Sequence, residues 1–366
     1  IIKENSLLPA VCGRVCLHPC ETACRRKDVE EPIAIMALKG FVTDNVPYEA
    51  PAKIEQSQDQ KVAIIGSGPA GLAAAYDLIR MGYGVTVFEA LSVAGGMMVV
   101  GVPEHRLPRE VLKRDIDYIQ ALGVEIKTDS PVDLGKGLDD MLGEGYGAVL
   151  LSLGAHRGQK PSIPGTNLEG TMVGTTFMKD VNLGNETAVG KRVLIVGGGN
   201  VAMDCARAAV RLGAEEVQIA CLECSKEDML AETSDIEQAE EEGVLFHPGL
   251  SLKRVLDAGG KVAGAECVEV ANLEFDRDGR PTFDELIGTE RTVDADTIIF
   301  AIGQAPDLTG LSADGDIESS MRGTLAADPE VMMTGRRGVF TAGDCFTGAT
   351  TIIDAISSGQ KAAFYM

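Results

Sequence analysis

Tryptophan is absent from this 366-residue chain, aromatics make up only 4% of it, and 33 Lys and Arg face 55 Asp and Glu. The shortage of cations excludes nucleic acid as a partner class, because displacing the counterions of a phosphate backbone takes Lys and Arg and the formal net charge here is −22. Acidity of this kind favours solubility and helps select a protein partner. No apolar run approaches the roughly 20 residues of a membrane-spanning helix. No signal peptide is visible either. The chain opens on Ile1 and stops inside a helical pattern at Met366, so we expect a piece of a longer polypeptide. What is plentiful is glycine, at 43 residues, and apolar content, at 45%, enough for two or three domains with real cores. Many glycines with few aromatics suit α/β domains built on tight strand-to-helix turns. Nine cysteines, an odd number in a large chain, fit a reducing cytoplasm better than a disulfide scaffold.

The organising feature is an internal repeat. "KVAIIGSGPAGLAAAYDLIRMGYGVTVFEA" (61–90) and "RVLIVGGGNVAMDCARAAVRLGAEEVQIACLE" (192–223) each run apolar strand, glycine turn, amphipathic helix, glycine break, second strand. In both, the glycine ending the helix (Gly82, Gly213) follows the first turn glycine (Gly66, Gly197) by sixteen residues. This is the βαβ unit of a dinucleotide-binding fold, written twice. "NVPYEAPAKIEQSQDQ" (45–60) reads as a linker ahead of the first unit. From Gly303 a third block carries a short strand, a Gly-Asp turn and a helix from about Thr350. The stretch 225–300 holds no chemical motif, and "DRDGRPTFDE" within it is surface hairpin chemistry.

In the first turn, Gly66 permits the sharp bend, Gly68 lets a pyrophosphate approach the backbone, and Gly71 lets helix and strand pack closely. The helix opening at Pro69 and Ala70 offers its amides to the phosphates. Glu89 ends the second strand, where a carboxylate accepts ribose hydroxyl protons. Gly197, Gly198, Gly199, Asn200, Val201 and Ala202 repeat the design, with Ala202 in place of the third glycine. Two nucleotide sites in one chain suggest FAD in one and a nicotinamide in the other, exchanging a hydride. Gly343 and Asp344 would hold the ribityl or pyrophosphate region of the flavin. The helix near Thr350 and Thr351 would point its positive end at the flavin ring. Hydride transfer needs no side-chain acid or base, so no catalytic residue is assigned beyond the cofactors.

"VCGRVCLHPCETAC" places Cys12, Cys16, Cys20 and Cys24 at equal intervals. Four such thiols clamp a metal or cluster, pair as disulfides, or pack as small core residues. His18 among them reads as a surface histidine. Cys221 and Cys224 form a C-x-x-C that admits disulfide exchange, although it follows the second glycine turn. Strand-end packing is the plainer reading, as it is for Cys345.

Taken together, "CGRVC…C…C", "GSGPAGLAAA", "GGMMVVGVPEHRLP", "GGGNVAMDCAR" and "FTAGDCFTGATTIIDAISSGQKAA" resemble the small subunit of glutamate synthase and its relatives, including the amino-terminal half of dihydropyrimidine dehydrogenase. The resemblance implies an α/β chain of two Rossmann-like domains, the FAD domain split by an inserted NAD domain, behind a small helical iron–sulfur segment. The expected divisions are 1–54, 55–160, 161–302 and 303–366. It implies that Gly95, Gly96 and Met97 lie near the flavin, followed by the loop Pro103 to Pro108, and that the cysteines hold [4Fe–4S]. Zinc is the rival for four thiolates, but a flavin needs a one-electron outlet, which iron–sulfur supplies. In relatives a further upstream cysteine group shares two clusters with this one; the present sequence starts after it.

The implied function is oxidation of a nicotinamide through FAD, with electrons leaving by the cluster to a partner subunit in the cytoplasm. NADH is expected over NADPH. Relatives that use NADPH carry an Arg pair after the second strand of the nicotinamide domain, whereas this chain reads "ACLECSKEDM" with Glu223 at that point. A carboxylate there accepts ribose hydroxyls and repels a 2′-phosphate. Gly303 is assigned to the same site. The competing classes are a thiol-disulfide reductase using Cys221 and Cys224, and a zinc-stapled nucleotide sensor.

Overall fold

The structure, a computed structural model, describes residues 2, 6–276, 280–311 and 316–366. They form two compact units, Ile1–His156 with Ala305–Met366, and Arg157–Gln304.

In the first unit, strands β1 (Lys61–Ile65), β2 (Gly84–Phe88), β3 (Glu125–Lys127) and β4 (Tyr146–Leu151) pair in parallel. The C-terminal strand Val339–Thr341 completes the sheet by pairing with β4, giving the order Val339–Thr341, β4, β1, β2, β3. The first domain is therefore split in sequence and single in space, because its sheet lacks an edge until the chain returns. β1 and β4 are apolar almost throughout and buried, as strands covered on both faces must be. Pro69 opens helix Pro69–Arg80, where its missing N–H costs nothing. Gly66 (φ 102°) makes the bend before it, and a Cβ there would lie 2.3 Å from the Ser152 carbonyl oxygen. Helix Ile352–Tyr365 is started by a capping box in which Thr351 and Asp354 satisfy each other's backbone N–H.

The cysteine segment belongs to this unit. It is helical over Pro9–Val15, Pro19–Thr22 and Ile35–Asn45, with a single tight turn at Arg25–Asp28. The stretch 45–60, expected as an isolating linker, is docked instead. Tyr48 donates to Asp115 at 2.6 Å, the Ile54 amide donates to the Leu122 carbonyl, and the amides of Ser57 and Gln58 donate to the Gly82 carbonyl. Its Pro and Gln content marked a break in periodicity, which is compatible with extended chain lying on a surface.

The second unit carries a parallel sheet ordered Thr171–Val173, Thr297–Phe300, Arg192–Val196, Glu216–Ala220, Leu245–His247. Helix Asn200–Arg211 buries Ala202, Met203, Cys205, Ala206 and Ala209 against it. Four strands for which the sequence names no motif form an antiparallel sheet, Leu250–Asp257 with Val262–Phe275, the latter also pairing with Pro281–Glu285 and Arg291–Val293. The hairpin expected across 276–285 lies partly outside the described residues; its described arms pair antiparallel.

Candidate cofactor sites

Around the first glycine turn, three separate stretches meet at one serine. Ser67 donates its amide (3.0 Å) and its hydroxyl (2.5 Å) to Glu89 Oε2, and its Oγ accepts the Gly95 amide at 3.0 Å. Glu89 is buried, and its Oε1 accepts the Leu91 amide at 2.9 Å. The carboxylate thus first organises the protein, and its Oε1 retains acceptor capacity for a ribose hydroxyl. A Cβ on Gly96 would fall 2.8 Å from Gly68 Cα, so the 95–97 loop lies directly on the turn. Gly68 itself faces open space on the side where a Cβ would point. Gly71 packs on the Gly66 carbonyl, Ser152 Oγ donates to the same carbonyl at 2.9 Å, and Met97 begins the short helix Met97–Val100. Arg109 holds the loop that follows, donating to the carbonyls of Met98, Leu107 and Val102.

The C-terminal block reaches the same place. A Cβ on Gly343 would lie 2.9 Å from the Ala70 methyl, and the Gly343 amide donates to Ser358 Oγ at 2.8 Å. Asp344 accepts the amide and hydroxyl of Thr350, both at 3.3 Å. Burial pushes the Asp344 carboxyl up to about 6, against the opposing effect of the Thr350 hydrogen bonds. Ser67, Ser152 and Arg109 were not singled out from sequence. Their signals were only a polar residue inside a glycine turn, another at a strand end, and a cation after a proline.

Around the second turn, Gly197 (φ 135°) packs on the Ala301 carbonyl and Gly199 faces open space. Asn200 begins the helix, its Oδ1 accepting the Glu232 amide at 2.8 Å, and the Ala231 amide donates to the Gly198 carbonyl at 3.1 Å. Val201 is half-buried and Ala202 buried. Gly303 (φ 113°) accepts the Gln159 amide through its carbonyl at 3.0 Å. By strand register, Ile65 pairs with Phe88 and Val196 pairs with Ala220, so the place of Glu89 is matched by Cys221. Glu223 stands two residues further on. Even so, it is only 5% exposed and its carboxylate lies against Gly198, whose ideal Cβ would be 2.5 Å from Oε2. Gly198 is the counterpart of Ser67, so each turn has an acid over its second residue.

The four spaced cysteines are not alike. Cys12 is 1% exposed inside helix Pro9–Val15, and burial pushes its thiol up to about 11. Cys16 is half-buried, Cys20 exposed, and Cys24 half-buried with its thiol lowered by the backbone at Ile33, then at Arg26 and Lys27. Among the described residues no three His, Cys, Asp or Glu side chains are gathered as the donors of a metal ion would be. Thiolate donors must lose their protons, which the lowered Cys24 thiol favours and the raised Cys12 thiol opposes. Cys221 is buried, its thiol pushed up to about 12 first by burial and then by Glu223, while Cys224 is exposed and both are free. The buried, raised thiol of Cys221 opposes the thiolate chemistry that exchange requires. Cys345 is buried beneath the Leu151 carbonyl, and His18 begins helix Pro19–Thr22 with φ 36°.

Residues 60–362 match the family described as pyridine nucleotide-disulphide oxidoreductase. The chain belongs to this family. Residues 1–50 match dihydropyrimidine dehydrogenase domain II, 4Fe-4S cluster. This pyridine nucleotide oxidoreductase is thus of the FAD type and carries a 4Fe–4S domain. It is 40% identical to the NADP(+)-dependent formate dehydrogenase subunit beta of Moorella thermoacetica over 99% of this chain and 55% of that one. It is 32% identical to the glutamate synthase [NADPH] small chain of Escherichia coli, covering 98% of this chain and 80% of that one. It spans little more than half the length of the first of these relatives. Among solved structures, Mycobacterium tuberculosis FprA in complex with NADPH shares the fold, with a TM-score of 0.70 at 16% identity over 84% of each chain. No helix among the described residues is long and apolar enough to cross a membrane.

Proposed function

We propose that this chain oxidises NAD(P)H through FAD and delivers single electrons through a [4Fe–4S] cluster to a partner subunit. The observation that carries this reading is the meeting of Ser67, Glu89 and Gly95 at a turn whose Gly68 stays open. Gly68 is packed by Gly96 on one side and open on the other, which suits a pyrophosphate on the N-terminus of helix Pro69–Arg80. FAD held there would supply the conversion of a hydride into single electrons. Ser67 and Glu89 orient the loop at Gly95–Met97, Asp344 with Thr350 closes the opposite side, and Gly199 with Asn200 presents the second helix N-terminus to the nicotinamide. Cys16, Cys20 and Cys24 are the accessible thiols that would hold the cluster. Nine free thiols fit a reducing cytoplasm.

The partner is proposed from the relatives, whose names describe a subunit beta and a small chain. NADH is proposed as the preferred donor on the strength of Glu223 alone, while both relatives are named for NADP(+) or NADPH. An absorption spectrum with iron and acid-labile sulfide analysis on the full chain tests the reading. Flavin bands riding on a broad iron–sulfur shoulder, bleached by NAD(P)H, are expected. Flavin bands alone, with reduction of a disulfide dye, would instead establish a thiol reductase.

A further inference from the structure

Asp115 lies on helix Arg109–Ala121 in the flavin unit and is 1% exposed. Its Oδ2 accepts the amides of Ala10 (3.0 Å) and Val11 (3.2 Å), the opening turn of helix Pro9–Val15. Its Oδ1 accepts the Tyr48 hydroxyl at 2.6 Å. Leu8, at the position before that helix, supplies no side-chain cap, so the cap comes from more than a hundred residues away. Burying a carboxylate is unfavourable unless donors compensate it. Here the donors come from both ends of one segment, since Ala10 and Val11 precede Cys12–Cys24 and Tyr48 follows helix Ile35–Asn45. The Arg114 guanidinium lies over the Tyr48 ring at 4.4 Å, and Tyr118 meets that ring edge-on at 6.4 Å. A core built only for packing would place an apolar residue at 115. A carboxylate there gives charge-assisted, directional bonds that define a single docking geometry.

We infer that Asp115 is the positioning residue that clamps the cysteine segment to the flavin unit, and that this clamp governs how fast electrons pass from flavin to cluster. The inference rests on the function proposed above. The step concerned moves electrons singly from reduced flavin to oxidised cluster, two departures for each hydride received, with protons released to water. Asp115 is not among the residues proposed above to hold either group.

The experiment uses the full chain and three variants, Asp115→Ala, Asp115→Asn and Tyr48→Phe. Amide hydrogen exchange is read over residues 8–16 and 46–50 against 61–80, and flavin bleaching by NAD(P)H is timed separately from cluster reduction followed by electron paramagnetic resonance. In Asp115→Ala we expect exchange in the cysteine segment to rise about tenfold or more, as losing charge-assisted bonds implies. Exchange over 61–80, dithionite-reducible cluster content and the rate of flavin bleaching should stay unchanged, while cluster reduction by NAD(P)H slows by about tenfold. Asp115→Asn, which keeps one acceptor oxygen, should lose less. If Asp115→Ala does not fold, Tyr48→Phe should show the same split at smaller amplitude. Unchanged exchange, or flavin bleaching that slows in parallel with cluster reduction, overturns the inference. A wild-type chain without a cluster overturns the proposed function and the electron-transfer half of this inference; the exchange result alone then decides the clamp.

Discussion

A methyl group on Gly359 would fall 2.1 Å from the carbonyl oxygen of Ala70. Helix Ile352–Tyr365 therefore touches helix Pro69–Arg80 backbone to backbone, right beside the first glycine turn. With Gly343 also against Ala70, this contact fastens the returning chain to the first glycine turn. The obstacle is a carbonyl oxygen, which cannot swing away as a side chain can. Gly359→Ala should therefore cost about 1–3 kcal/mol, as overpacking does, and the purified protein should retain less FAD. Denaturant unfolding and the flavin-to-protein absorbance ratio check this. An unaltered midpoint with full FAD would show that the two helices part without penalty.

The cysteines should divide by burial. Cys12→Ser places a hydroxyl in the core and should lower stability by about 1–3 kcal/mol while leaving iron content intact. Cys16→Ser, Cys20→Ser and Cys24→Ser should each lower iron and abolish electron delivery to the partner, sparing FAD and its reduction by NAD(P)H. Loss of iron in Cys12→Ser without loss of stability would restore it as a ligand. Normal delivery in Cys16→Ser would take the cluster off the path.

Glu223, held against Gly198, should disfavour a 2′-phosphate. We expect kcat/KM for flavin reduction to be about tenfold or more higher with NADH than with NADPH, as a like-charge clash implies. Glu223→Gln should narrow that ratio and Glu223→Arg should reverse it. A wild type that prefers NADPH, or variants that leave the ratio unmoved, would show that another group makes the choice.

The second unit should carry an acid-sensitive stabilising contact. Glu242 bridges Arg207 and Arg211, and the Arg211 hydrogen bond, followed by that of Arg207, holds its carboxyl down from the ordinary 4.5 to about 2. A depressed carboxyl stabilises the fold above its unfolded value and loses that contribution as pH falls through the folded one. The difference in melting temperature between wild type and Glu242→Gln should thus be full at pH above 4.5 and shrink towards about 2. A difference independent of pH would mean the variant acts through packing alone.

The two βαβ units were legible because their signals are local. A glycine turn at Gly66, a proline opening a helix and short, continuously apolar strands each lie within a few residues of one another. The docked stretch 45–60 was not legible, since Tyr48 finds Asp115 across 67 positions and nothing near Tyr48 in the chain announces it. Ser67 looked like filler between glycines until the structure placed it between Glu89 and Gly95. Glu223 was noticed for its charge, but its strand register differs from that of Glu89, and only the path of the loop brings it to Gly198.

By itself the sequence determined which backbone segments become strands, turns and helices, how often the nucleotide-binding unit occurs, and that four thiols share one short stretch. Those properties follow from φ preferences and side-chain periodicity, which act between near neighbours. The tertiary structure decided that Cys12 is buried while Cys20 is exposed, that Val339–Thr341 closes the sheet begun at Lys61, and that Asp115 caps a helix from another part of the chain. Burial and hydrogen-bond partnership depend on which distant surfaces meet, and no local pattern carries that information.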